Sequence, residues 1–461
     1  MSTTPMSTTP ISSTPADQLL IAFAQLNPVA GDIAGNVRRV REARALAGGQ
    51  GAELVVFTEL FLTGYPSEEL VLTPAFQGAC RRAVEDLAAE TADGGPALLL
   101  GAPWVEGGAL YNAALLLDGG AVAGVRFKVE LPSHGVFAPG PMPGPMAFRG
   151  VRLGVPVCED IASPDVIECL METGAEILLV PNGSPYRRDV HDERLNLAVA
   201  RVVESGLPLA YVNAVGGQGE RVFDGGSFVL NADRSLAVQL PNFQERVRLT
   251  RWERWAVGWR CEEGARAPLL AGDEADYAAC VLRLRDDVET NGFPGVVLGL
   301  SGGLDSALAA VLAVDALGPA RVHLVALPTD ERAPEGCAEA ATLAGALGVR
   351  CDCVSIDPAV QAMETLLSPL AGPADSAEDT LASDMRGALL TALSVRLGAR
   401  LVTPGDALAN LDAAQRRALA ALRNRWKPAG ALGPDGAVIP ARLLAEGDAP
   451  ERAGADGLPT A

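Results

Sequence analysis

Short apolar runs alternating with longer stretches of helical period constrain this chain most. LLIAFAQL, ELVVFTEL, PALLLGAPWV, YNAALLL, VRLGVPVC, AEILLVPN, LPLAYVNAV and GSFVLNA read as strands, and residues 36–47, 76–91 and 189–204 read as helices between them. Apolar runs of this length, bounded by turn residues, are strands covered on both faces, so the pattern predicts a layered α/β domain. The apparent strands stop near 243–259, a charged, tryptophan-bearing stretch followed by Glu262, Glu263 and Gly264, which sets a boundary at about residue 265. Beyond it come a helix at 273–291, the strand PGVVLGL, a glycine turn, an alanine-rich helix at 305–317 stopped by Gly318 and Pro319, and the strand RVHLVALP. A helix at 335–347 and the strand RCDCVSI extend this βαβ text, which predicts a parallel sheet with helices on its faces. The 461 residues thus divide into a Ser/Thr/Pro-rich tail at 1–17 expected to be disordered, a first domain at 18–265 and a second at 266–461. From Ala429 onward glycine, proline and charge dominate, and loose folding is expected there.

Charge and residue usage narrow the chemistry. Thirty-seven basic against 57 acidic residues leave a net charge of -20, which opposes nucleic-acid or anionic-membrane partners. No apolar run reaches the ~20 residues of a membrane span, and the start lacks an apolar signal core. Only three histidines occur (His134, His191, His323), too scattered for a multi-histidine metal site. The eight cysteines form no CxxC pair and read as reduced thiols of a cytoplasmic protein. Cys351 and Cys353 share one face of a strand, and core packing explains them better than metal binding.

Three strand ends carry reactive groups: Glu59 after VVFTEL, Lys128 in VRFKVELP and Cys158 in VRLGVPVCED. A cysteine attacking a carboxamide needs a base and a cation for the developing oxyanion, and a carboxylate and a lysine supply both without histidine. Each residue alone also has a plain reading, a small buried hydrophobe or a surface ion pair. In this order, FTELFLTGYPSEEL, KVELPSHGVF, GVPVCEDI and VPNGSPY resemble the nitrilase-type glutaminase domain of glutamine-dependent NAD synthetases, over residues 19–260. The resemblance implies an αββα sandwich that hydrolyses glutamine through a thioester. Glu59 would be the base, Cys158 the nucleophile and Lys128 the group that stabilises the tetrahedral intermediate. Tyr65, Phe137, Glu159 and Ser184 would shape the glutamine pocket. Two positions depart from the family: His134 stands where a tyrosine is usual, and Val190 where a basic residue is expected, with Arg187 and Arg188 close by.

LGLSGGLDS, 298–306, follows an apolar strand and opens a helix. Its glycines admit close backbone approach, and a helix N-terminus offers N–H groups and a positive dipole, so the loop suits a pyrophosphate. It is neither a Walker loop nor a dinucleotide GxGxxG, and a glycine turn without ligand is the alternative. The motif resembles the ATP pyrophosphatase class, and its place after a glutaminase domain again resembles NAD synthetase. By that resemblance Gly299, Leu300, Ser301, Gly302, Gly303, Leu304, Asp305, Ser306 and Thr403 would bind ATP, and Asp305 would also hold Mg2+. The implied reaction adenylates the nicotinate carboxylate of deamido-NAD and releases pyrophosphate, and ammonia then attacks. A homo-oligomer with a sheltered ammonia passage is implied as well.

Further on, VALPTDERAPEG replaces an aromatic, arginine-bearing family loop, an expected acidic residue falls on Ala409, and a substrate-contacting family segment is missing after Asp406. The second domain is therefore expected to be a truncated Rossmann-like ATP-binding domain. Beside NAD synthesis stand two other expectations: a degenerate paralogue retaining only amidase activity or nucleotide binding, and a non-catalytic subunit of an intact synthetase.

Overall fold

A computed structural model describes residues 17–133, 135–329, 333–371, 378–409 and 411–445. The serine- and threonine-rich start and His134 lie outside them. The chain divides into two compact units between Leu269 and Leu270.

In the first unit two sheets are stacked. The seven-stranded sheet runs in the order Gly258–Cys261, Arg246–Trp255, Gln18–Gln25, Leu54–Val56, Ala97–Glu106, Ala109–Asp118, Ala121–Phe127. The six-stranded sheet runs Leu236–Gln239, Phe228–Leu230, Leu209–Asn213, Ile177–Asn182, Val151–Gly154, Met146–Phe148. Strand period decides the layering: Leu54, Val56, Ala97 and Leu99 enter the core shared with Leu153, Ile177, Leu179 and Val212, while Val55, Leu98 and Leu100 enter an outer core. Helices Ile33–Gly49 and Pro74–Glu90 cover that outer core through Val40, Ala43, Ala47, Cys80 and Val84. Pro164–Glu172 and Val190–Ser205 cover the other sheet through Val166, Leu170, Ala198 and Val202. Fully burying one such leucine or valine contributes roughly 1.5–3 kcal/mol, so the layers close on hydrophobic area. Asp32 and Thr73 cap the first two helices, accepting from Gly35 N at 2.8 Å and Phe76 N at 3.4 Å.

The charged stretch near 243–259 is not where the strands end. Arg246–Trp255 pairs antiparallel along the whole first strand, from Gln18 opposite Glu253 to Gln25 opposite Arg246. Trp252, fully buried, drives this pairing: its Nε1 donates to Thr250 Oγ1 at 2.9 Å, and that hydroxyl donates to Ile21 O at 2.8 Å. The arginines between lie exposed on the surface, so their charge disguised a half-buried strand.

The second unit is built on a four-stranded parallel sheet, Arg350–Cys353, Val322–Ala326, Val296–Leu300, Arg400–Leu401. Helix Leu304–Leu317 is buried from Ser306 to Leu317, as its apolar all-round composition requires. Helices Gly272–Thr290 and Ala413–Arg423 pack into the same core through Val281, Val288, Leu419 and Leu422.

Of the stretch from Ala429 onward, residues 429–445 are packed rather than loose, and 446–461 lie outside the described residues: Val438, Ile439 and Leu443 are buried, and the preceding loop is tied down by Arg423 Nη2 donating to Pro434 O at 2.7 Å. The cysteines are not all reduced, since Cys337 in helix Ala333–Leu347 bridges Cys353, with Cα atoms 5.7 Å apart. Cys353 is exposed at its strand end and turns toward the neighbouring helix, whereas Cys351 rests half-buried on the core as expected.

Candidate active site

The catalytic expectation in the first unit names three residues on three strand ends, and the structure brings them together. Glu59 follows Leu54–Val56, Lys128 follows Ala121–Phe127, and Cys158 opens the turn Cys158–Ala162 after Val151–Gly154. Lys128 Nζ donates to Glu59 Oε1 at 2.7 Å and also contacts the Glu159 carboxylate. The Cys158 Sγ and a carboxylate oxygen of each of Glu59 and Glu159 all lie within 4.8 Å of one another. Among the described residues this is the one cluster whose donor types could hold a metal, and the Lys128 ammonium already bridges its two carboxylates.

Glu59 is held from three sides. Asn112 Nδ2 donates to Oε1 at 2.7 Å, Lys128 shares that oxygen, and Tyr65 Oη donates to Oε2 at 2.9 Å. Tyr65 is in turn stacked on Phe223 with ring centroids 5.0 Å apart. A side-chain carbon on Gly183 would lie 1.4 Å from Tyr65 Oη, so only glycine fits there, and its N–H reaches the Cys158 sulfur.

Electrostatics favour the protonated Cys158 thiol. Burial pushes the Cys158 thiol well up, and the negative charge of Glu59 adds to that, while Lys128 and the Gly183 N–H pull the other way. Burial works against the Lys128 ammonium, but the negative charges of Glu59 and Glu159 outweigh it and raise its pKa. Glu159, half-exposed, accepts from Lys128 and from the Cys158 thiol, and these bonds keep its carboxyl low against the effect of burial. Cys158 takes φ +52°, a left-handed backbone that costs a residue with a Cβ about 1–2 kcal/mol. Asp160 holds that turn, its carboxylate accepting from Val157 N at 2.9 Å, Val129 N at 2.9 Å and Glu130 N at 2.7 Å.

In the second unit the expected phosphate loop joins Val296–Leu300 to Leu304–Leu317 at the C-terminal edge of the sheet. Gly302 has φ +81°, and the serines cross-link the loop: Ser301 and Ser306 hydroxyls lie 3.0 Å apart, and Ser306 Oγ donates to Gly303 O at 3.1 Å. Thr403 sits past the adjacent strand and caps Pro404–Ala407 through Asp406. Asp305 stands in the first turn of the long helix, and Arg416 Nη1 donates to its Oδ2 at 2.5 Å.

A sequence profile described as carbon-nitrogen hydrolase matches residues 20–255, and one described as NAD synthase matches residues 277–408. A glutamine-dependent NAD(+) synthetase of Rhodobacter capsulatus is 46% identical over 401 residues, covering 85% of this chain and 72% of that protein. One of Thermotoga maritima is 33% identical over 429 residues, covering 84% and 74%. The solved glutamine-dependent NAD+ synthetase of Acinetobacter baumannii, in complex with ADP, superposes with a TM-score of 0.83 at 32% identity, covering 93% of this chain and 84% of that one. The chain belongs to the glutamine-dependent NAD(+) synthetase family. Its α/β architecture, a nitrilase-like unit followed by an NAD synthase unit, is that of the family.

Within this synthetase-family chain the other expected pocket residues have distinct surroundings. Ser184 is anchored, its N donating to Asn213 Oδ1 at 3.0 Å and its Oγ accepting from Arg194 Nε at 3.1 Å. Phe137 is half-buried and packs against the outer core, as Phe127 does. Val190 is buried at a helix start and Arg187 pairs with Glu193 at the surface. The basic group near NGSPY is instead Arg194, buried, with Nη1 at 2.8 and 3.0 Å from the two Asp224 oxygens. Asn112, Asp160, Arg194 and Asp224 form supports not anticipated from sequence. Asn112 had one usable signal, an amide inside the apolar run YNAALLL.

The family implies Mg2+ with ATP. At Asp305, the expected metal ligand, the residues do not fit it: a guanidinium lies on the carboxylate, and the position expected to supply a second acid is Ala409.

Proposed function

We propose that the protein hydrolyses glutamine in its first unit and uses the ammonia, in its second, for ATP-dependent amidation of deamido-NAD to NAD. Convergence of Glu59, Lys128 and Cys158 in one buried cluster is the observation that carries this reading. Glu59 takes the Cys158 proton as the sulfur attacks the glutamine carboxamide carbon. Lys128 Nζ holds the oxyanion of the tetrahedral intermediate. Glu59 then gives that proton to the departing nitrogen, ammonia leaves, and a thioester remains. Water attacks the thioester with Glu59 again as base, and glutamate and the free thiol return. Tyr65, Glu159 and Ser184 bound the pocket.

At the loop 299–306 the backbone N–H groups and the helix N-terminus receive the ATP phosphates, with Ser301, Ser306 and Thr403 as hydroxyl donors. The nicotinate carboxylate attacks the α-phosphorus, pyrophosphate leaves, and ammonia displaces AMP from the acyl adenylate. We take the protein to act in the cytoplasm as a homo-oligomer, and its charge of -20 argues against nucleic-acid partners.

A second reading is favoured by Arg416 on Asp305: an amidase whose second unit binds nucleotide without turnover. The test supplies glutamine or ammonium with ATP, Mg2+ and deamido-NAD and measures glutamate, AMP and NAD separately. NAD from either nitrogen source is the expected result. Glutamate without AMP selects the second reading, and neither product points to a non-catalytic subunit.

A further inference from the structure

Two carboxylates face the glycine loop of the second unit, and each carries an arginine. Asp305 bears Arg416 at 2.5 Å. Glu339 Oε2 lies 3.1 Å from where a side-chain carbon on Gly302 would be, and Glu339 Oε1 receives Arg442 Nη1 at 2.7 Å. Both arginines follow Asp406 in the chain. A polyphosphate entering this loop meets carboxylates, and an uncompensated one would repel it by Coulomb's law. A divalent cation is one remedy. Among the described residues, however, Asp305 belongs to no group of three potential metal ligands, and Ala409 offers no second acid.

We propose that Arg416 takes the place of the metal, serving as the fixed cation of the loop so that pyrophosphate and ATP bind here without Mg2+. A guanidinium is always charged, and its planar fork of five donors matches phosphate oxygens as well as carboxylate oxygens. Its position is built in: Arg416 Nε donates to Leu411 O at 3.0 Å, and the helix that carries it is capped by Asp412, which accepts from Gln415 N at 2.8 Å. The stem is thereby anchored, and the charged end points to the first turn of helix Leu304–Leu317, where the loop N–H groups also gather. Arg442 neutralises Glu339 and keeps the opposite wall of the loop from opposing the ligand.

This inference rests on the nucleotide reading above, and calorimetry of the full-length protein with inorganic pyrophosphate and with ATP separates the two. With EDTA present, affinity is expected within about threefold of that in excess Mg2+. Arg416→Ala weakens pyrophosphate binding in EDTA by at least about tenfold, the loss of one charge-assisted contact. Mg2+ restores part of that loss, because the Asp305 carboxylate is then open to the ion. Arg416→Lys, which keeps the charge but loses the fork, retains more pyrophosphate affinity in EDTA than Arg416→Ala does and guards against a folding defect. Binding that falls more than tenfold when Mg2+ is chelated, or that ignores Arg416→Ala, overturns the proposal alone. No binding in either condition removes the nucleotide reading and this inference with it.

Discussion

Cys158 sits where burial and a neighbouring carboxylate both favour its thiol over the thiolate. Its pKa lies above the ordinary thiol value, and raising the pH through that value creates the thiolate. Alkylation by iodoacetamide should therefore be slow at pH 7 and still climbing above pH 9, and a plateau by pH 7 would contradict the assignment. Cys158→Ala should abolish glutamate release. Asn112 supports Glu59, the proposed base, by donating to its Oε1 at 2.7 Å. Asn112→Ala should lower the glutaminase kcat about tenfold or more with a smaller change in KM, in line with losing one preorganised donor. Equal kcat in the variant would make Asn112 merely structural.

One turn and one strand end meet at Asp160, and the meeting explains how two distant segments hold a common geometry. Its carboxylate receives Val157 N from the turn bearing Cys158, and Val129 N and Glu130 N from the chain just past Lys128. Burial pushes its carboxyl up to about 6 in spite of those three donors. Only the ionised form accepts from all three N–H groups without an O–H among them, so falling pH weakens the clamp. Glutamate release should accordingly decline as pH drops through about 6, and Asp160→Asn, imitating the protonated acid, should show low activity already at pH 8. Activity of Asp160→Asn equal to the parent at pH 8 would refute the clamp. Strand ends bearing Glu59, Lys128 and Cys158 were legible because each reactive group follows a short apolar run, a pattern local to its segment. Asp160 was not, since its role is to join segments 30 residues apart. Arg246–Trp255 escaped for a similar reason, since its arginines mask the period that Thr250 and Trp252 obey in the structure.

Each unit has its own hydrophobic core, and that independence is testable at the level of the whole molecule. In the second unit a buried ionic knot joins three helices: Asp315 accepts from Arg423 Nε at 2.6 Å, Arg423 Nη2 at 3.0 Å and Tyr277 Oη at 2.6 Å. Sequence offered no hint of it, because Asp315 lies in an otherwise apolar helix and its partners are 38 and 108 residues away. The same knot explains why the glycine- and proline-rich stretch after residue 429 is ordered, for Arg423 also reaches the carbonyls of Pro434 and Gly436. Asp315 and Arg423 are almost fully buried, so removing the acid leaves a guanidinium in the core without its counter-ion. Breaking a buried pair in this way costs about 3–5 kcal/mol, enough to unfold a marginal domain. Asp315→Ala should lower the urea midpoint of the second unit and weaken ATP binding, while glutamate release at 25 °C persists because the cluster of Glu59, Lys128 and Cys158 draws on a separate core. Loss of both activities together would mean that the units fold as one, and unchanged urea midpoints would mean that the knot contributes nothing.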